Sequence, residues 1–89
     1  MKYYRIEVYT CYCGENATAY MAIPDDENLE MPKHLAIIDD VIDTNAMEWW
    51  DEQSEEEFDG DYDAYRCECG YDAYEVSQEE YEEYKEYHV

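Results

Sequence analysis

Basic residues are scarce: five Lys and Arg stand against 26 Asp and Glu, for a net charge of −21 at pH 7. Phosphate contact is built on Lys and Arg, so the composition argues against direct binding of DNA or RNA. It argues equally against attraction to an anionic membrane surface. Aliphatic residues are few as well. Leu, Ile, Val and Phe number 12 of 89, about 13%, below the roughly 20% that together with high charge marks disorder. No run of 18 apolar residues exists, so no transmembrane helix is expected. The start, Met1 to Glu7, carries no apolar stretch of signal-peptide length, and a cytoplasmic protein is expected. A Ser-His-Asp set, a P-loop and a Gly-rich phosphate motif are missing, and no carboxylate pair stands out among so many acids. An enzyme is therefore not expected. Asp59 to Asp63 fails as a calcium loop, because Gly60 sits second rather than sixth and no Glu closes it.

Two features oppose disorder. The chain has 12 Tyr, 2 Trp and 1 Phe, residues that acidic disordered chains usually lack. It also has four Cys in two matching pairs, and a domain this small often needs a metal staple. At 89 residues one small domain, 1–89, is expected, burying only about 60–65% of the surface its unfolded chain exposes.

The charge is uneven. Residues 1–24 are neutral, whereas 25–50, 51–66 and 67–89 each carry a net −7. Residues 2–10 alternate, with Tyr4, Ile6 and Val8 on one face and Tyr3, Arg5, Glu7 and Tyr9 on the other, which predicts a strand. Residues 17–23 read as the return strand, stopped at Pro24-Asp25-Asp26. Residues 32–50 read as a helix with Pro32 in its first turn. Its apolar stripe is Leu35, Ile38, Ile42, Ala46 and Trp49, and Thr44-Asn45 could divide it. Residues 51–63 read as a frayed helix end and loop, or as disorder. The segments 62–66 and 71–76 read as a second hairpin around Cys67-Glu68-Cys69-Gly70. Ser77-Gln78-Glu79-Glu80 is a capping-box pattern that opens a terminal helix, 78–87, from which Tyr81 and Tyr84 can pack on the body.

Cys11-Tyr12-Cys13-Gly14 and Cys67-Glu68-Cys69-Gly70 repeat one pattern, with 53 residues between them. Two Cys at a tight turn offer two sulfurs to one ion, and a second such turn completes a tetrahedron. The following Gly permits positive φ and lets backbone amides approach the sulfurs. A long loop is what a metal clip most usefully closes. The expected cofactor is one structural Zn²⁺ per chain on Cys11, Cys13, Cys67 and Cys69. His34 and His88 could substitute, though lone His residues on acidic helices are usually surface. Redox thiols and disulfides are the alternatives, and Glu15, Glu68 and Asp72 near the sulfurs disfavour reactive thiolates. The motifs resemble zinc-ribbon knuckles, which normally read Cys-x-x-Cys-Gly; here one residue separates each pair. The expected fold is α+β, a small zinc-stabilised domain of two β-hairpins with Cys-x-Cys-Gly knuckles and one or two acidic helices.

A charge of −21 does not help folding, since self-repulsion costs stability. It suits a solvated surface, or a polyanion competing for a nucleic-acid-binding cleft. Size, charge and knuckles together resemble the small acidic inhibitors that phages encode against host nucleases, the anti-restriction and anti-CRISPR proteins. More narrowly they resemble zinc-containing anti-CRISPR proteins of type II systems. That resemblance implies binding to a basic protein surface, foremost a type II CRISPR effector nuclease, and occlusion of its DNA channel by mimicry. In a phage-encoded inhibitor the compartment is the host cytoplasm. The expected contact residues are Asp39, Asp40, Asp43, Glu55, Glu56, Glu57, Asp59, Asp61 and Asp63. The rivals are a zinc-ribbon adaptor that binds a basic partner in transcription or replication, and a thiol redox switch.

Overall fold

The structure, a computed structural model, describes residues 1–11 and 14–89. Strand β1 (Lys2–Thr10) forms where the period-two pattern predicts it, and β2 (Asn16–Ile23) pairs with it antiparallel, Ile6 opposite Ala19 and Tyr4 opposite Met21. Alternation then divides the sheet. Ile6, Val8, Ala19 and Met21 face one side and are buried, while Tyr3, Arg5, Glu7 and Tyr9 face the other.

Helix α1 (Pro32–Trp49) covers the buried face. Pro32 occupies its first turn, and Met31 precedes it without a side-chain cap. His34, Ile38, Ile42 and Ala46, spaced by four, are its buried stripe. Full burial of one aliphatic side chain such as Ile38 contributes about 1.5–3 kcal/mol. The helix runs through Thr44-Asn45 without a break. Asn45 turns its side-chain amide back to the Val41 carbonyl at 2.9 Å, so its polar group is satisfied locally. His34 is not a surface residue: it is buried, and its Nε2 lies 2.7 Å from Glu27 Oε1.

The second hairpin does not form. Residues Tyr62–Arg66 are a short helix, α3, and strand β3 (Cys69–Val76) pairs with β1 instead. Among the described residues the sheet is three-stranded, in the order β2-β1-β3, all antiparallel. The cause lies in the acidic stretch before β3. Helix α2 (Glu52–Glu57) is capped by the Asp51 carboxylate, which accepts from the Ser54 amide at 2.8 Å. It ends in a Schellman turn: Gly60 N donates to Glu55 O at 2.7 Å and Asp59 N to Glu56 O at 3.4 Å. Asp59 takes φ +53° and Gly60 φ +75° there. Asp61 then caps α3 through the Ala64 amide. Tyr65 of α3 is fully buried, with Trp50, Phe58 and Tyr62 around its ring. A small aromatic cluster therefore orders a segment whose charge suggests disorder.

Helix α4 (Gln78–Glu83) lies on the other face of the sheet. Ser77 caps it as its sequence predicts, accepting from the Glu80 amide at 3.1 Å. The Glu80 carboxylate is turned to the sheet, where Arg5 donates at 3.1 Å and Tyr20 at 3.0 Å. Tyr81 packs on Tyr3 and Tyr84 stacks on Tyr20. The chain end returns along β2, where Val89 N donates to Tyr20 O at 3.0 Å.

Candidate metal centre and acidic surface

Antiparallel pairing carries the end of β1 to the start of β3. Thr10 lies opposite Cys69, and the Cys11 amide donates to the Glu68 carbonyl at 3.0 Å. Cys11 therefore faces the residue that Cys67 and Cys69 flank, so two motifs far apart in sequence meet at one end of the sheet. Cys11 and Cys67 are exposed, and Cys69 is half-buried against the core. Cys13 lies outside the described residues. Among the described residues no group of three Cys, His, Asp or Glu is set to hold a metal ion.

The two motifs differ in backbone. The first follows a strand and the second follows α3, where Cys67 is the C-cap. Gly14 has φ +73°, the left-handed conformation expected of a knuckle. Gly70 serves a different purpose. A Cβ at Gly70 would lie 2.9 Å from Tyr9 Oη and 3.1 Å from Cζ, so the bare backbone makes room for the Tyr9 ring.

The histidines are occupied elsewhere. Besides His34, Glu27 binds Lys33 Nζ at 2.8 Å, and Lys2 donates to its carbonyl. The Lys33 ammonium and the His34 ring hold the Glu27 carboxyl below its ordinary value. His88 stacks on Tyr81, with its Nε2 2.5 Å from the Tyr81 carbonyl.

The expected acidic surface is divided by its own contacts. Arg66 Nη2 donates to Asp39 Oδ1 at 2.7 Å, and its Nε lies 3.6 Å from Asp43. Tyr62 Oη donates to Asp43 Oδ1 at 3.1 Å. Burial, reinforced by that carboxylate, pushes the Tyr62 phenol up to about 12. Asp39 and Asp43 thus fasten α3 to α1. Asp61 is a helix cap, and Asp40 borders a shallow groove with Asn16, Thr44 and His88. Glu55, Glu56, Glu57, Asp59 and Asp63 stay exposed on and beside α2 and α3. Sequence reasoning missed Arg66 and Tyr62 as organisers. The one signal was a lone cation within an otherwise anionic stretch.

The Cα trace measures 44 × 26 × 16 Å. A net −21 along 44 Å is about one charge per 2 Å, close to the one per roughly 1.7 Å of duplex DNA. No helix among the described residues is long and apolar enough to cross a membrane. No protein-family model, curated protein or solved structure matches the chain.

Proposed function

We propose that the chain is a non-enzymatic inhibitor that sits in the nucleic-acid channel of a nucleic-acid-processing protein, foremost a type II CRISPR effector nuclease. The observation that carries this reading is the charge density, close to that of a duplex along the long axis. A positively charged channel steers such a body in, and bound there it excludes DNA by occlusion and repulsion. The tyrosines add contact area at low entropy cost. One structural Zn²⁺ on Cys11, Cys13, Cys67 and Cys69 belongs to the reading. The meeting of the two motifs across the β1–β3 ladder supports it. Four thiolates leave no open position on such an ion, so its contribution is folding energy.

The test is reversal of Glu55, Glu56 and Glu57 to Lys, with inhibition of DNA binding by a guide-loaded effector as the readout. Potency should fall, and fall most at low salt, where screening is weakest. Undiminished potency would remove this acidic face from the contact.

A further inference from the structure

Strand β3 is an edge. It pairs with β1 on one side, and no strand flanks its other side among the described residues. The Cys11 amide bonds to Glu68 on β3's side, whereas the Thr10 amide bonds to Glu15 on the β2 side. This fixes the parity of the ladder. Gly70, Asp72, Tyr74 and Val76 turn their backbone groups to β1, and Tyr71, Ala73 and Glu75 turn theirs outward. Those three residues are exposed. Natural edges are usually blunted by Lys, Pro, a bulge or a covering element, and Cys69–Val76 contains neither Lys nor Pro.

The two faces beside this edge differ. Toward α1, Tyr71 borders a shallow, mostly apolar concavity with Pro32, Leu35, Ile38 and Ile42, and Asp39 is the one charged residue among the described residues that line it. On the opposite face Asp72 lies across from Glu7 of β1, which Arg5 already engages at 3.3 Å, so Asp72 is the carboxylate left at the edge itself. An added strand alternates its side chains between these faces. Toward α1 it would meet mostly apolar groups, with Glu75 at one end, and on the other face it would meet the Asp72 carboxylate. A second copy of this chain brings another −21 to the edge and is repelled.

We propose that β3 accepts an extended segment of a basic partner as a fourth strand, with apolar residues toward α1 alternating with Lys or Arg toward Asp72. Backbone hydrogen bonds to Tyr71, Ala73 and Glu75 supply affinity, and the two faces supply sequence preference. The inference rests on the inhibitor reading for the basic character of the partner, and it names how that partner docks.

The test uses the full chain and two capped octapeptides, one alternating Val and Lys, the other with the same residues in blocks. The alternating peptide should bind about tenfold tighter and slow amide exchange at Tyr71, Ala73 and Glu75. Ala73→Pro removes an outward donor and no β1 bond, so it should melt near wild type yet bind about tenfold more weakly. Asp72→Lys leaves every backbone group in place, sets a like charge against the peptide's lysines in place of the carboxylate, and should also weaken binding. Equal binding of both peptides would overturn the proposal in favour of charge alone. So would undiminished binding by a folded Asp72→Lys chain, or a wild-type dimer that Ala73→Pro dissolves. If Ala73→Pro still blocks DNA loading on an effector, the docking mode falls and the inhibitor reading stands. If wild type never blocks loading, the inhibitor reading falls, and the peptide result still decides the edge.

Discussion

Tyr65 is the residue whose loss tells most about how an acidic chain stays folded. Its side chain is 0% exposed. Its ring centroid lies 5.0 Å from that of Trp50, 5.6 Å from Phe58 and 6.2 Å from Tyr62. Truncating a buried aromatic to Ala costs about 3–5 kcal/mol. Typical stability is about 0.05–0.15 kcal/mol per residue, so 89 residues hold about 4–13 kcal/mol in all. Tyr65→Ala therefore removes a large share of the total. At about 4–8 °C per kcal/mol for a domain of this size, the melting midpoint should fall by about 12–40 °C. Tyr74→Ala is the control, because Tyr74 is 45% exposed and its loss should stay within about 0.5 kcal/mol, apart from its contact with Arg5. Thermal melts followed by circular dichroism at constant salt and metal read both variants. A Tyr65→Ala chain that melts within a few degrees of wild type would refute the aromatic cluster as the anchor of α2 and α3.

Three further outcomes follow from the same contacts. Asp59 holds a left-handed conformation at a Schellman position, so Asp59→Gly should stabilise by about 0.5–1 kcal/mol; a lower midpoint in urea would contradict the turn. Glu27 has a lowered carboxyl pKa, so its contribution is complete above the ordinary value near 4.5 and is lost as pH falls through the folded value. Glu27→Gln should accordingly lose stability at neutral pH and approach wild type in acid, and parallel pH profiles would refute the linkage. Cys67→Ser or a strong chelator should loosen the domain and release one zinc per chain, while an unchanged melt and no zinc by elemental analysis would refute the metal clip.

Where an apolar pattern was present, the sequence was legible. Alternation along Tyr4, Ile6 and Val8 marked β1, and the spacing of Ile38, Ile42 and Ala46 marked most of the buried stripe of α1, in which His34 is buried and the expected Leu35 is exposed. Ser77 announced the start of α4. The second hairpin was misread for a physical reason: Tyr62 and Tyr65 have strand-like propensity, but their burial against Trp50 and Phe58 decides for helix. Three residues depended on partners distant in sequence. Glu80 satisfies Arg5 and Tyr20 rather than its own helix end. Gly70 yields to Tyr9. Arg66 engages Asp39 and Asp43 of α1. The meeting of the two cysteine motifs was expected from their repetition, although the β1–β3 ladder that joins them was expected as two separate hairpins.

The most direct measurement is a mobility-shift assay with a guide-loaded type II effector, labelled target DNA and this protein added first. The inhibitor account predicts loss of the DNA-bound band as protein is added, with more protein needed as salt rises. A DNA-bound band that persists at saturating protein and low salt would contradict it.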